Sequence, residues 1–553
     1  MHTRSLLSAA LLFVCLPLSG AESGGVAEAP RPEAPQRLLR QILIADTIEG
    51  AEKLEFVESG EFIVVASPAL ATLDRAELTK RLQAGKGRPI NDRLLAGIAQ
   101  VVEVFVKQSG FAVATAIIPP QNIAAGAIRV AVLPGKVRNI RFEGNRWFSE
   151  SMLREKLRID RGGLVQVSEL DRSLAWTNFN QFRRVRLHVQ PVPETGEADL
   201  LFNVQERFPL RLSLGYENTG NAILGFDRYT ASVTHGNLWG RDHQLSLQEV
   251  ISHSTKLFRV HAFDYRAPLP WRHVVSVSGS YALVNPTFYS GLFTQQGKSV
   301  NADLRYVVPV RAKGWEGEVS GTLGFKQSNN NLEFGGVAAL GTTNDLFSAS
   351  LAASAFRADS RGRWIISTTV TGSPGSINSR NDEDNFNDVR PGAKPRYALA
   401  QLWVQRLTAL APRVTSVARV SAQLASTNLV PSEQFAAGGA NTVRGYEERV
   451  LAGDGGFLAT HELQWSLPPT ALGKRLPALE TALAFFWDYG RTVTKHPLIG
   501  DEKAAYLASV GLGLRCSITN HLSATADFAR QLEEVELPGV RHHRLHVKVT
   551  LAF

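Results

Sequence analysis

The sequence has little sulfur. It contains two cysteines and two methionines among 553 residues. Cys15 lies in an amino-terminal segment that we predict to be cleaved, which would leave Cys516 as the single cysteine of the mature chain. One cysteine excludes an intramolecular disulfide and a cysteine-based metal cluster. We therefore predict no metal site.

Long apolar runs are missing after residue 21. Residues 1–21 have the features of a secretory signal peptide: Arg4 gives a charged start, and an apolar run covers 6–18. Small residues at 19–21 form the expected cleavage site. The run is shorter than the roughly 20 residues that a membrane helix needs. We therefore predict export, and any insertion into a membrane must use a closed β-barrel, because only helices and closed barrels satisfy every backbone group in lipid.

A strong excess of one charge is also missing. Sixty basic residues oppose 51 acidic residues, and the formal net charge is +9. No block of Lys or Arg and no basic helix stands out. We predict that this mild excess is solvated and that nucleic acid is not a partner.

The segment before residue 208 has mixed α and β character. Residues 22–55 begin with proline-rich sequence and are predicted to be a flexible leader or linker, with a short amphipathic helix at 36–48. Two β-α-α-β-β modules follow, at 56–135 and 136–207. The first is expected to have strands at 61–66, 112–118 and 127–133 and helices at 74–83 and 91–108; the second, strands at 137–142, 185–189 and 198–205 and helices at 149–157 and 168–178.

Short alternating segments replace the helical period beyond residue 208. We count sixteen candidate strands, an even number of the kind that single-chain bacterial barrels have. They lie near 208–217, 227–236, 241–252, 255–266, 272–283, 296–309, 315–327, 345–358, 361–372, 394–408, 412–426, 455–467, 478–489, 504–516, 519–529 and 542–553.

The connections between these segments alternate in length. The third, fourth, fifth and sixth external loops are expected at 284–295, 328–344, 373–393 and 427–454, with tight turns near 310–314 and 359–360. This one-sided asymmetry is typical of an outer-membrane barrel entered from the periplasm. A soluble β-sandwich gives no reason for it.

Alternation within the strands predicts one face for lipid and one for a wet lumen. In the last strand the apolar face carries Leu545, Val547, Val549, Leu551 and Phe553. In an earlier strand Leu483, Phe485, Trp487 and Tyr489 would face lipid, and Ala484, Phe486, Asp488 and Gly490 would face inward.

Residues 118–137 contain a proline-glutamine turn. Pro119 and Pro120 end one strand, Gln121 follows them, and Gly126 permits the turn before an alternating strand. The stretch resembles the end of the first POTRA domain in the transporters of two-partner secretion, the family of haemolysin and filamentous-haemagglutinin secretion proteins.

Two further stretches carry the same resemblance. The predicted sixth external loop is similar to that superfamily's signature hairpin loop, which folds back into the lumen in relatives. The matching residues are Gly438, Gly439, Val443, Arg444, Gly445, Tyr446, Gly453 and Asp454. Phe486, Asp488 and Gly490 resemble the motif on the barrel wall that receives the arginine of the loop.

The chemistry of this pairing can be argued separately. An exposed Arg–carboxylate pair contributes under about 1 kcal/mol to the stability of the fold. A partly desolvated bidentate pair fixes the orientation of a loop much better. We predict that Arg444 and Asp488 latch the loop inside the pore, that Gly445 lets the backbone pass close to the wall, and that Tyr446 stacks beside it.

The resemblance implies a transmembrane 16-stranded antiparallel β-barrel preceded by two periplasmic α+β POTRA domains, in the outer membrane. Such a pore would recognise an unfolded exoprotein by strand addition, at the edge formed by 112–118 or by 185–189, and would translocate it to the cell surface. The expected partners are the exoprotein and the lipids and lipopolysaccharide of the outer membrane, and the expected state is a monomer.

Other functions fit less well. An outer-membrane insertase shares the POTRA domains and the arginine loop, but two modules and the proline-glutamine turn favour secretion. A passive porin leaves residues 56–207 without a purpose. The sequence has no Gly-x-Ser-x-Gly elbow and no His-Glu-x-x-His helix, and residues 85–87 lack the spacing of a phosphate-binding loop, so we predict no enzyme activity and no cofactor. His543 and His546 point to opposite faces of a strand, which disfavours a shared metal.

Overall fold

The computed structural model describes residues 37–553 except 59, 72, 112, 165, 193–196, 222–223, 286, 289–292, 335–336, 469–478, 520 and 535–541. The predicted signal peptide and the start of the predicted leader lie outside the described residues. The chain divides into two compact units, one ending at Gly135 and the other running from Lys136 to Phe553.

The first unit is one α+β module. Its strands are β1 (Gln41–Ala45), β2 (Ile63–Val65), β3 (Ala114–Ile117) and β4 (Ala127–Pro134), in the sheet order β2-β1-β4-β3. Its helices are α1 (Ile48–Glu52), α2 (Arg75–Leu82) and α3 (Asp92–Gln108). Asp74 and Asn91 cap α2 and α3, as predicted, and the Asn91 side chain accepts from the Leu94 N–H at 2.8 Å.

The expected helix at 36–48 is wrong. Residues 41–45 form β1, which pairs in parallel with both β2 and β4 at the centre of the sheet. All five residues of β1 are buried, and the four after Gln41 are apolar, so the strand lacks the alternation that a half-exposed strand would show. The first module therefore begins before residue 56, where we had placed the end of the leader.

The second unit begins with another α+β module. It contains β5 (Lys136–Glu143), α4 (Glu150–Leu157), α5 (Val167–Thr177), β6 (Arg183–Val192) and β7 (Glu197–Glu206). The sheet order is β5-β7-β6, with β5 parallel and β6 antiparallel to β7. The strand and helix order is the one that the sequence predicted.

The remaining strands close into a barrel of sixteen antiparallel strands, which confirms the predicted fold class and number. They are β8 (Leu210–Glu217), β9 (Arg228–Leu238), β10 (His243–Ile251), β11 (Phe258–Pro268), β12 (Val274–Val284) with its extension β13 (Thr287–Phe288), β14 (Phe293–Ala312), β15 (Trp315–Phe334), β16 (Val337–Asp359), β17 (Gly362–Ser373), β18 (Tyr397–Ala411), β19 (Val414–Ala425), β22 (Gly455–Ser466), β23 (Leu479–Val493), β24 (Ala504–Ile518), β25 (Leu522–Gln531) and β26 (His543–Ala552). The sixth external loop adds a small ribbon of β20 (Phe435–Ala437) and β21 (Leu451–Gly453).

The external connections differ in detail from the expected loops. The fourth loop, predicted at 328–344, is mostly strand, because β15 and β16 stay paired out to Phe334 and Val337. Its Asn-rich and Gly-rich sequence does not resemble strand sequence, yet cross-strand pairing supplies its backbone hydrogen bonds. The fifth loop contains a helix, α6 (Glu383–Val389).

The barrel wall alternates as predicted. In β23 Leu483, Phe485 and Trp487 are exposed, while Ala484 and Phe486 are buried. In β26 the exposed residues include Leu545 and Leu551, and His546 between them is buried. The described part of the chain contains no helix that is long and apolar enough to cross a membrane.

Buried charges join the second module to the barrel. Asp242, in the tight turn after β9, accepts from both terminal nitrogens of Arg183 and from Lys156 Nζ at 2.7 Å. Burial lowers the pKa of Lys156 although Asp242 attracts its charge. Burial alone would raise the pKa of Asp242, but hydrogen bonds from Arg183 hold it below its usual value. Because the three groups are largely buried, solvent screens their attraction little, and the cluster fixes the module to the turn.

Candidate functional site

The sixth external loop folds back into the lumen, and its glycines allow the tight path. Gly438 and Gly439 have φ of +101° and +112°, in the region that side chains rarely enter. The Gly439 N–H donates to the Val443 carbonyl at 3.1 Å, which closes the tip of the loop. The next residue is Arg444, so this turn sets where the guanidinium points.

Arg444 and Asp488 form a bidentate pair across the lumen. Arg444 Nε lies 2.7 Å from Asp488 Oδ2, and Nη2 lies 2.8 Å from Oδ1. The backbone N–H of Arg444 also donates to Asp488 Oδ2 at 3.1 Å. Asp488 is 0% exposed and Arg444 is 5% exposed, so the structure brings the two predicted residues together away from water.

The wall motif shapes the site around this pair. The Arg444 guanidinium lies over the Phe486 ring at 3.4 Å from its centroid. Stacking of this kind adds a cation–π contribution to the ion pair. Gly490 leaves space for the loop, since a Cβ there would meet Val443 Cγ2 at 2.7 Å. The predicted wall residues therefore supply the surface on which the loop lies.

Three further charged residues surround the pair, and the sequence patterns had indicated none of them. Arg444 Nη1 also donates to Glu462 Oε2 at 2.8 Å. Arg515 Nη2 donates to the same oxygen at 2.8 Å, and Arg515 Nη1 donates to Asp527 Oδ1 at 2.6 Å. The alternation of inward and outward residues along the strands could have indicated them. Each of the three lies at an inward position of its strand, next to outward residues that suit lipid. Two arginines and three carboxylates thus form one buried network.

Gly445 holds the loop against the last strands. Its φ is +95°, and a Cβ added to it would meet the Ala529 Cβ at 3.3 Å, so there is little room for any side chain. Its N–H donates to His546 Nε2 at 3.0 Å, and its carbonyl accepts from Gln531 Nε2 at 2.7 Å. His546 therefore positions the loop. Among the described residues, no group of three or more His, Cys, Asp or Glu side chains could hold a metal ion.

Tyr446, which we expected to lie beside the wall, packs against residues of β22 and β24. It is 1% exposed and packs with Val443, Leu458 and Leu507 in an apolar cluster. Its hydroxyl lies 2.6 Å from the Glu533 carbonyl and 2.9 Å from the Ala508 carbonyl. The tyrosine thus holds the loop against these two strands of the wall.

The end of the loop is fixed separately. Asp454 is 0% exposed, and its carboxylate accepts from Arg390 Nη1 at 2.5 Å and from the Leu429 N–H at 2.8 Å. Gly453 lies against β23, where a Cβ would meet the Val493 backbone at 2.8 Å. The beginning and the end of the loop are therefore tied together, away from Arg444.

The residues of the proline-glutamine turn lie together in the first module. Gln121 Oε1 accepts from the Arg129 N–H at 2.6 Å, and its Nε2 donates to the Arg129 carbonyl at 2.9 Å. The amide thus pairs with β4 as a strand residue would. Pro119 is buried and Pro120 is exposed. Gly126, at φ +73°, has no room for a Cβ because the Leu38 carbonyl would lie 2.5 Å away.

These features define a transmembrane β-barrel of the outer membrane with α+β modules on its periplasmic side. The profile of the family described as haemolysin secretion/activation protein ShlB/FhaC/HecB matches residues 196–516. The POTRA domain of ShlB type matches residues 67–135. Since the first match spans more than half of the chain, the chain belongs to this family.

Individual relatives are more distant. The heme/hemopexin transporter protein HuxB of Haemophilus influenzae (strain 86-028NP) is 24% identical over 183 residues, 33% of this chain and 32% of HuxB. The outer membrane transporter CdiB of Dickeya dadantii (strain 3937) is 20% identical over 366 residues, 65% of this chain and 64% of CdiB. The matches thus span about a third of HuxB and just under two thirds of CdiB.

Solved structures share the fold. CdiB from Escherichia coli has a TM-score of 0.71 at 16% identity and covers 95% of this chain and 92% of its own. BamA from Haemophilus ducreyi lacking POTRA domains 1–3 has a TM-score of 0.54 at 15% identity, covering 87% and 97%. At these identities the likeness concerns the fold alone.

Proposed function

We propose that this chain is an outer-membrane pore that binds an unfolded exoprotein through its periplasmic modules and translocates it to the cell surface. The observation that carries the proposal is the combination, in one chain, of a closed sixteen-stranded barrel and modules with unpaired strand edges. An edge strand can bind an extended segment of any sequence through main-chain hydrogen bonds. A closed barrel then supplies a polar path through the lipid.

The two predicted edge strands differ in how many of their outward backbone groups are already bonded to side chains. In the first module the Ala116 N–H of edge strand β3 donates to Glu103 Oε2 at 3.4 Å. In the second module β6 is an edge strand of ten residues, and Asn178 satisfies the N–H and carbonyl of Val185 at 2.6 and 2.9 Å. Beyond Val185, β6 pairs on this side with no other strand of the described residues. The longer edge of β6 is the exoprotein site that we propose.

The Arg444 network has a role in this function. The ion pair of Arg444 and Asp488 latches the sixth loop within the lumen, and the loop reduces the width of the pore. Buried pairs of this kind specify one arrangement rather than adding much net stability. We therefore assign the network to gating, with passage requiring the loop to shift.

An insertase for other barrels is the second candidate. The observation that favours it is the short closing pairing of β26 with β8, which spans five residue pairs against twenty for β14 with β15. Fewer hydrogen bonds would have to break for the barrel to open towards lipid. The same pairing is extended by Phe553 and Leu212, whose N–H groups and carbonyls exchange bonds at 2.9 and 3.2 Å.

Deletion of the gene separates the two candidates. Quantitative proteomics would compare the culture medium, cell surface and outer membrane of the deletion strain, the parent and a complemented strain. We expect loss of one large exoprotein, with other outer-membrane barrels at parental levels. A general fall in barrels would identify an insertase instead, and unchanged surface and medium would contradict both proposals.

A further inference from the structure

Two cavities lie side by side on the external rim of the barrel. The larger, of about 770 Å³, is lined by residues of the fifth and sixth loops and of the seventh loop, which joins β23 to β24. These residues include Lys394, Arg396 and His496. The smaller, of about 280 Å³, is lined by Arg491 and Lys495 among others. Volumes of several hundred Å³ are typical of small-molecule sites. The volume of the larger cavity therefore suits a compact polar group such as a sugar phosphate.

Positive charge dominates both cavities. The five basic side chains are exposed, and none makes a side-chain hydrogen bond or ion pair with another described residue. Among the described residues that line the larger cavity, none carries a carboxylate. Asp454 in the smaller one is fully buried and neutralised by Arg390. Unpaired cations grouped in this way create a local potential that attracts anions.

The position of the cavities on the wall indicates which anions they meet. Trp487, Tyr489 and Tyr506 stack along the outer face, with ring centroids 6.2 and 6.3 Å apart. Such aromatic girdles mark the interface between hydrocarbon and headgroups. Arg491 is the next outward residue beyond Tyr489, about 7 Å further along the strand. The basic side chains therefore lie at the level of the headgroups of the outer leaflet.

Hydrogen bonds between Asn428 and the backbone of two loops fix the shape of the larger cavity. Asn428 Oδ1 accepts a hydrogen bond from the His496 N–H at 2.8 Å, and Asn428 Nδ2 donates one to the His496 carbonyl at 2.8 Å. Its own carbonyl accepts from the Lys394 N–H at 3.2 Å. One asparagine thus holds the loops that carry Lys394 and His496. The backbone positions that carry Lys394 and His496 are consequently set before any ligand binds, which lowers the entropic cost of binding.

We propose that this rim is a binding site for the phosphate groups of a phosphorylated glycolipid of the outer leaflet, such as the lipid A part of lipopolysaccharide. Lys394, Arg396 and His496 hold one phosphate through charge-assisted hydrogen bonds. Arg491 and Lys495 hold the neighbouring one. Basic pockets between membrane-spanning segments recognise lipid headgroups in the same way. The site fixes the external ends of three loops to the surrounding leaflet, and it does not depend on the proposed secretion function.

The test measures lipid binding by the full-length protein in detergent. The probes are bisphosphorylated lipid A, the same lipid A without its phosphates, and inorganic phosphate. For Lys394→Gln/Arg396→Gln/His496→Gln we expect at least about tenfold weaker binding of the bisphosphorylated lipid, because charge-assisted contacts are lost. Arg491→Gln/Lys495→Gln should weaken it as well.

The matched control replaces the same number of basic residues in periplasmic turns. Lys313→Gln/Arg361→Gln/Arg413→Gln should bind the lipid as the parent does, and heat-modifiable migration on gels checks that every variant is folded. Equal binding of dephosphorylated lipid A, or unchanged binding by both rim variants, would overturn the proposal. Equally tight binding of inorganic phosphate would identify a free-anion site and would overturn the assignment to a lipid.

Discussion

At the scale of single residues, Arg444 is the centre of the account. It bonds to Asp488 with two nitrogens, to Glu462 with a third, and its guanidinium covers Phe486. Arg515 shares Glu462 and reaches Asp527, so removal of one charge unbalances several others. A reversal of the Arg444–Asp488 pair would place a carboxylate beside Glu462. Neutral substitutions are consequently the cleaner probe.

Arg444→Ala should release the sixth loop from the lumen. Buried Asp488 and Glu462 would lose their shared cation, which costs about 3–5 kcal/mol when one partner of a buried pair is removed. We expect a higher and noisier single-channel conductance in planar bilayers, because the loop no longer narrows the pore. Arg444→Lys should have an intermediate effect, since it keeps the charge but loses the bidentate geometry.

The control for this prediction lies in the same loop. Arg449 is exposed and its Nη2 bonds only to the Pro431 carbonyl, at 3.0 Å, among the described residues. Arg449→Ala should therefore leave the conductance close to that of the parent. The latch hypothesis would be wrong if Arg444→Ala also behaved as the parent does.

At the scale of elements, the sequence predicted the barrel strands well and the rest of the structure less well. The alternation of inward and outward residues along a strand is a local sequence signal. It is clear in β23 and β26 because one face of each strand lies against lipid. It could not identify β1, whose five residues are all buried. It assigns Glu462 and Arg515 to the lumen face, but it could not predict that they join the Arg444 site, because that contact depends on the path of a loop from elsewhere in the chain. Long-range contacts of this kind have no local sequence pattern.

The edge of β6 carries the element-scale prediction. Val185 directs its N–H and carbonyl to Asn178, away from β7, and strand alternation gives Leu187 and Val189 the same direction. Leu187→Pro and Val189→Pro would remove outward N–H groups without breaking the pairing with β7. We expect each to reduce surface export of the exoprotein several-fold, measured by immunoblotting of whole cells.

The matched control is Ala116→Pro on β3, whose outward N–H already bonds to Glu103. It should leave export near the parental level. Heat-modifiable migration verifies barrel folding in all three variants. Loss of export with Ala116→Pro together with normal export by both β6 variants would place the exoprotein site in the first module instead.

At the scale of the whole molecule, the second module, the sixth loop and the external rim lie along the route that we propose for the exoprotein. The second module is joined to the barrel by Asp242, Arg183 and Lys156, so a segment bound at β6 is held at a fixed position relative to the periplasmic rim. The sixth loop occupies the lumen and is tied at its end by Asp454. The external rim carries the basic cavities. We therefore propose that capture, gating and anchoring take place at successive levels along the barrel axis.

Passage of the exoprotein through the lumen is the central claim, and site-specific photocrosslinking tests it most directly. Thr322 and Leu323 are neighbours on β15; Leu323 is 63% exposed on the outer face, so Thr322 faces the lumen. A photoreactive residue would replace each in cells that hold an exoprotein stalled by a fused, stably folded domain. We predict crosslinks to the exoprotein at position 322 and none at position 323. Crosslinks at 323 without crosslinks at 322 would contradict the account.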